Sequence, residues 1–252
     1  MSSVACPTGP RRCVDEHELG DAARLQRALL PRPFVSRHGW SAAYRFSPAG
    51  PVGGDILDLI HSGDRIYFLL ADVSGKGIAA SMLTAYIHAT FRSLVPLGLP
   101  LEDIVRRASA LLCASTLPSQ YATLVFGYLG PDGEVAITNA GHPAPLVAGG
   151  AARASVVPTG AAAGLFCDSS FGSTRLRLKP GETLVLYSDG LTEAFGPGGE
   201  EYGVERLQRA AERGADGDTT RLLTAIGEDH AGFLGRLAPG DDLTVLALRR
   251  DP

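Results

Sequence analysis

The sequence predicts an α+β fold in which antiparallel sheets are covered by helices. Three observations carry this. Residues 52–77 read as a β-hairpin, because apolar runs at 56–60 and 66–70 flank Ser62-Gly63-Asp64-Arg65 and Gly-Asp suits a two-residue hairpin loop. Segments 122–129 and 134–139 are joined by Gly130-Pro131-Asp132-Gly133, a second tight turn. The helical stretches come in pairs between short antiparallel connections, which argues against a doubly wound βαβ array.

In order, residues 1–14 carry Pro, Gly, Ser and Arg without periodicity and read as a loose tail. A helix follows over 15–30, with Ala22, Leu25 and Leu29 as its apolar stripe and Pro31 ending it. A strand at 39–46 leads through Ser47-Pro48-Ala49-Gly50 into the hairpin. The next helix spans 78–94, with Ala79, Met82, Ala85, Tyr86 and Ala89 on its apolar side, and Pro96 closes it. A second helix covers 101–114. Beyond the 122–139 pair come short strands near Leu146 and Val156 and over 174–178, then a compact apolar strand at 184–187. Helices at 204–212 and 219–233 precede a last strand at 243–248. No repeat or linker interrupts 15–252, so one domain is expected there.

With 252 residues and 45% hydrophobic content the chain can bury a large core. A net charge of −4 gives no electrostatic footprint for nucleic acid. No apolar run nears the roughly 18 residues that suggest a membrane span, and the first ten residues lack the order of a signal peptide. A cytoplasmic protein with no membrane partner is therefore expected. Cys6, Cys13, Cys113 and Cys167 show no Cys-x-x-Cys spacing and read as free thiols.

The chemistry concentrates at acidic residues beside glycines. With Gly63 and Asp64 as the hairpin loop, Leu59 faces Phe68, Leu57 faces Leu70, and Asp55 faces Asp72. Opposed Cβ atoms lie about 4.5 to 5.5 Å apart, and like charges there repel. A shared proton or a cation is expected to relieve the pair, the alternative being that both are strand-end residues in turns, and oxygen-only ligands favour hard ions such as Mg²⁺, Mn²⁺ or Ca²⁺. Gly53, Gly54, Gly75 and Gly77 leave room for backbone and phosphate to approach. Asp189, beside Gly190 at a strand end, and Asp241-Asp242 at a strand start share that context. Four such carboxylates suit a pair of ions clamping an in-line displacement at phosphorus. Asp58 falls on the opposite hairpin face, facing Leu69, and is left out of this set. Gly75-Lys76 does not begin a P-loop, since Leu70 and Gly77 stand where Gly and Ser or Thr are required.

Five blocks, at 52–58 (Val-Gly-Gly-Asp-Ile-Leu-Asp), 71–77 (Ala-Asp-Val-Ser-Gly-Lys-Gly), 139–143 (Asn-Ala-Gly-His-Pro), 187–193 (Tyr-Ser-Asp-Gly-Leu-Thr-Glu) and 241–245 (Asp-Asp-Leu-Thr-Val), occur in this order. Together they resemble the motifs of the stage II sporulation protein E and sigma-factor-regulator branch of the metal-dependent PP2C-type protein phosphatases. Leu25-Gln26 through Leu29-Leu30-Pro31 is similar to the leading helix of that branch.

The resemblance implies an α-β-β-α four-layer sandwich, a central antiparallel β-sandwich flanked by helices, with two Mn²⁺ or Mg²⁺ ions at one sheet edge. Carried over by position, Asp55 would bridge both metals and Asp72 would bind one together with the Val73 carbonyl. Asp189 and Asp241 would complete the set, Asp241 being favoured over Asp242 because related phosphatases have Asp-Asn here with the first residue as ligand. Gly54, Gly75, Lys76 and Gly190 would lie near the phosphate. Lys76 stands where relatives often have His and is expected to sit in solvent. Arg45 is the nearest stand-in for the phosphate-binding arginine of the eukaryotic branch and reads better as a strand surface residue. His142 is expected to order its loop; His61 and His88 are expected at strand and helix surfaces.

The implied activity is hydrolysis of phosphoserine or phosphothreonine without a covalent phosphoenzyme. The implied substrate is a phosphorylated anti-sigma-factor antagonist, with a regulatory protein or dimer contact at helix 15–30. The alternative is a catalytically inactive binding platform.

Overall fold

The computed structural model describes residues 16–117, 119–150 and 156–252. The chain begins with α1 (Glu16–Leu29), β1 (Phe34–Arg37) and β2 (Trp40–Ser47), then the hairpin β3 (Asp55–Ser62) and β4 (Arg65–Val73). Helices α2 (Gly77–Leu94) and α3 (Leu101–Ser115) follow, then β5 (Ala122–Leu129), β6 (Glu134–Ala140), β7 (Leu146–Ala148), β8 (Thr174–Arg177) and β9 (Thr183–Tyr187). The one-turn α4 (Asp189–Thr192), α5 (Val204–Gly214), α6 (Thr219–Leu234) and β10 (Leu243–Arg250) complete it.

The strands form two five-stranded sheets, ordered β1-β2-β10-β9-β7 and β3-β4-β5-β6-β8, with antiparallel pairings throughout. Side-chain alternation sorts the core into three layers. Leu57, Phe68, Leu70, Leu186, Leu246 and Trp40 fill the space between the sheets. Ile56, Leu69 and Phe126 face Phe91 of α2 and Ile104 of α3. Val185, Tyr187 and Val245 face Leu207 of α5 and Leu222 and Phe233 of α6. The result is the expected helix-sheet-sheet-helix sandwich.

Each hairpin turn is made as its residues dictate. The Gly63-Asp64 loop sets the register that pairs Asp55 with Asp72, Leu57 with Leu70 and Leu59 with Phe68. Helix α2 stops at a 3-10 turn over Val95–Leu97, where Pro96 can still sit but cannot extend the helix. Asp218 caps α6 by accepting from the Arg221 N–H at 2.8 Å.

Several expectations need correction. Leu25 is 70% exposed, whereas Leu29 packs partly buried against the α2–α3 layer, and the residue that α1 buries fully is Gln26, a polar anchor beside that apolar contact. On α2 the buried face is Ala80, Thr84, Ile87 and Phe91, so Ala79, Met82, Ala85 and Ala89 face outward. The two bulky residues Ile87 and Phe91 remove more apolar area from water than the alanine-rich side would, and they set the rotation. Val156 is buried between the sheets but belongs to no strand. Strand β1 and helix α4 carry no periodicity long enough to announce them.

The cysteine reading also changes. Cys113 on α3 and Cys167 on the segment before β8 form a disulfide, with Cα atoms 5.4 Å apart. They are 54 positions apart in sequence, and only the fold brings them together. Cys6, Cys13 and the tail at 1–14 lie outside the described residues.

Candidate metal centre

Both sheets contribute carboxylates at one edge of the sandwich. Asp55 begins β3 and Asp72 sits one residue from the end of β4, on the face that looks toward the other sheet. From that sheet, Asp189 opens α4 just after β9, and Asp241 and Asp242 immediately precede β10.

Asp55 is 1% exposed. Its Oδ2 accepts hydrogen bonds from Ser188 Oγ at 2.8 Å and Thr244 Oγ1 at 2.6 Å, so strands β9 and β10 together fix the carboxylate. Thr244 N–H in turn donates to Ser188 Oγ at 2.9 Å. The other oxygen, Oδ1, is buried and has no hydrogen-bond partner among the described residues. A buried carboxylate oxygen left in that condition is costly unless something positive reaches it.

The charges reinforce one another. Burial first, then the Asp72 charge, raises the Asp55 pKa well above the usual carboxylate range, against the pull of Thr244 and Ser188. Asp72 is raised to about 7, by burial and then by Asp189, Asp241 and Asp242, with Lys76 opposing. Asp189 is raised by burial and by Asp241. Asp72, on β4, thus feels the carboxylates that the other sheet brings from the ends of β9 and β10.

Asp241 and Asp242 divide their work. Asp242 accepts the Ala49 N–H on Oδ1 at 2.7 Å and the Gly54 N–H on Oδ2 at 2.6 Å, which ties the loop before β10 to the loop before β3. Asp241 accepts the Asp242 N–H on Oδ1 at 2.9 Å and meets Lys76 Nζ with Oδ2 at 3.0 Å. Lys76 therefore does not simply sit in solvent, though it is exposed; its ammonium reaches Asp241 and the Gly240 carbonyl at 3.3 Å.

The glycines allow these approaches. A Cβ on Gly54 would stand 2.7 Å from the Val73 carbonyl oxygen, and one on Gly53 would overlap the Asp242 carboxylate. A Cβ on Gly190 would overlap the Asp242 backbone oxygen. Gly75 has φ +96°, a left-handed conformation, and turns the chain between Val73 and α2.

Sequence reasoning missed Ser188, Thr244 and Gln26. The first two lie inside recognised blocks but carry no charge. Gln26 donates from Nε2 to the Gly53 carbonyl at 2.7 Å and accepts the Gly53 N–H on Oε1 at 3.1 Å, fastening α1 to the loop that leads into Asp55. His142 orders its loop as expected. Its N–H donates to Asn139 Oδ1 at 2.8 Å, and its Nδ1 lies 2.8 Å from Thr123 Oγ1, on the strand position opposite Asp72. Burial lowers the His142 pKa to about 3. Arg45 lies against Gly227 of α6, on the outer face of its sheet. His88 is not a surface residue but lies beside Asp58, with Nε2 3.3 Å from its carboxylate.

Among the described residues no group of three or more His, Cys, Asp or Glu side chains is arranged so as to hold a metal ion. The donor set nevertheless fits hard divalent cations: it is all oxygen, it includes a buried orphaned carboxylate oxygen, and Gly54 opens space beside a backbone carbonyl. Asp55, Asp72, Asp189, Asp241 and the Val73 carbonyl could hold such ions.

Structural comparison defines the fold. The SiaA-PP2C domain of Pseudomonas aeruginosa superposes with a TM-score of 0.82 at 21% identity, covering 93% of this chain and 96% of that one, so the fold is that of the PP2C-type phosphatases. The profile of the Stage II sporulation protein E (SpoIIE) family matches residues 62–251, and the chain belongs to that family. It is 27% identical over 268 residues to protein IcfG of Synechocystis sp., covering 94% of this chain and 42% of IcfG. It is also 24% identical over 238 residues to phosphoserine phosphatase RsbU of Bacillus subtilis, covering 92% of this chain and 70% of RsbU. The chain thus spans less than half the length of IcfG. Among the described residues no helix is long and apolar enough to cross a membrane.

Proposed function

We propose that the chain is a divalent-cation-dependent phosphatase that hydrolyses phosphoserine or phosphothreonine on a protein. The observation that carries this is the uncompensated carboxylate group: among the described residues Asp55 Oδ1 is buried without a partner, Asp72 stands opposite Asp55, and Asp189, Asp241 and Asp242 act in turn on Asp72 against the exposed Lys76. Divalent cations bound there would supply charge neutralisation at a phosphoryl group and activation of water toward phosphorus.

The chain's own residues have distinct parts in this reading. Asp72, rather than Asp55, would be the main carboxylate holding two Mn²⁺ or Mg²⁺ ions, because one Asp55 oxygen is already committed to two hydroxyls. Asp55 presents Oδ1, held in orientation by Ser188 and Thr244. Asp189, Asp241 and the Val73 carbonyl complete the ligands. Asp242 is a positioning residue, since both its oxygens accept backbone N–H groups. Lys76 balances Asp241 and has three donors with which to meet phosphate oxygens, beside the open Gly75, while the buried Gly54 and Gly190 let neighbouring backbone pack close to the site. His142 is not the proton donor to the leaving alkoxide, because it is buried and neutral.

The substrate we favour is a phosphorylated anti-sigma-factor antagonist met in the cytoplasm. The family membership and the phosphoserine phosphatase named RsbU support this. A regulatory protein or second copy contacting α1 would act on the site through Gln26. Turnover of p-nitrophenyl phosphate and of a phosphoserine peptide, with and without Mn²⁺, tests the reading. Cation-dependent release of phosphate, lost in Asp189→Asn, is expected; no turnover with either substrate would favour an inactive binding platform.

A further inference from the structure

A hollow of about 420 Å³ adjoins the carboxylates on the side of α4 and the loop between α6 and β10. Asp189 and Asp241 form one wall; Ala194, Phe195, Leu234 and Leu237 supply the apolar remainder. Phe195 is 56% exposed and Leu237 48% exposed, which is unusual for two large apolar side chains beside one cavity. Neither wall is slack. Phe195 stands on a small hairpin in which Gly196 N–H donates to the Glu200 carbonyl and Tyr202 N–H to the Ala194 carbonyl, both at 2.8 Å. Leu237 N–H donates to the Leu234 carbonyl at 3.1 Å.

We propose that this hollow seats an apolar side chain of the phosphoprotein substrate, one to three positions from the phosphorylated residue. The inference rests on the phosphatase reading and adds a sequence preference to it. A phosphoresidue delivered to Asp189 and Asp241 brings its neighbours across the hollow, because those two residues are its wall. An extended segment advances about 3.3 Å per residue, so only the nearest neighbours reach. Glu193 also lines the hollow and adds a third carboxyl to that rim, which disfavours an acidic neighbour and leaves an aliphatic or aromatic one.

The test uses the full chain with Mn²⁺ and phosphoserine peptides of equal length carrying Leu, Gly or Asp beside the phosphoserine. The Leu peptide is expected to exceed the Gly peptide roughly tenfold in kcat/KM, through KM. Leu237→Ser and Phe195→Ser, uncharged changes at exposed positions, should erase that preference while kcat and the Gly peptide hold. Equal KM for Leu and Gly peptides in the wild type, or a preference that survives both variants, overturns the proposal. Anisotropy binding of the same labelled peptides to Asp55→Asn, which does not line the hollow, reads the preference without turnover. Loss of all turnover in the wild type would therefore strike the phosphatase reading, and the binding preference would still judge the hollow.

Discussion

The two faces of β3 treat a buried aspartate in opposite ways. Asp58 is 0% exposed and Asp55 1% exposed, three residues away on the same strand. On the helix side, Arg92 of α2 grips Asp58 with Nε and Nη2, each at 2.8 Å. His88 beside it is lowered in pKa chiefly by burial, and its Nε2 lies 3.0 Å from Arg92 Nε as an acceptor, so Arg92 alone neutralises Asp58. On the sheet-sheet side, among the described residues, Asp55 receives two hydroxyls and no cationic side chain, and the largest charge acting on it is another carboxylate, Asp72. A buried charge needs compensation. The chain supplies it for Asp58 with Arg92; for Asp55, in the reading proposed above, a bound cation would supply it.

The largest test exchanges the two. Asp55→Asn or Asp72→Asn should abolish cation-dependent turnover with the fold retained, because each removes a ligand and a repulsion rather than core volume; Asp58→Asn should keep kcat. Phosphate release together with circular dichroism checks both. Next, Arg92→Ala strands the Asp58 charge and should cost toward the low end of about 3–5 kcal/mol by chemical denaturation, the Arg92 side chain being half exposed. Replacing Asp58 and Arg92 together by Leu should recover much of that loss, whereas no apolar swap at Asp55 should recover turnover.

Acidity distinguishes the faces further. The Asp72 pKa is raised to about 7, above the ordinary value near 4. The folded protein without cations therefore holds that proton more tightly than the unfolded chain does. Its stabilising contribution is complete below about pH 4 and is lost as pH rises through about 7. Asp55 shifts in the same direction. Melting temperatures in chelator should fall across that window more steeply for the wild type than for Asp72→Asn, and added Mn²⁺ should remove the difference. The smallest effect expected is that of Gln26→Ala, about 1–2 kcal/mol from the lost pair of bonds to Gly53, with a higher Mn²⁺ concentration needed for half-maximal turnover.

What the sequence made legible follows from range. The Asp55–Asp72 pairing was readable because a two-residue loop fixes the register of its hairpin, and the same register put Asp58 on the other face. The fate of Asp58 was not readable: Arg92 lies 34 positions away, and its partner is chosen by how α2 rotates on the sheet. That rotation itself was misjudged, because alternation of small apolar residues offers two faces of α2 and only packing selects the one with Ile87 and Phe91. The acidic blocks marked the site, while Ser188, Thr244 and Gln26 are uncharged and acquire their parts only where β9, β10 and α1 converge. The Cys113–Cys167 bond is likewise a product of the fold rather than of spacing.

Calorimetric titration of the metal-free protein with Mn²⁺ at pH 7.5 addresses the central claim most directly. The account predicts saturable binding that Asp72→Asn abolishes and Asp58→Asn leaves intact. Absence of saturable binding to the wild type, or binding unaffected by Asp72→Asn, would contradict it.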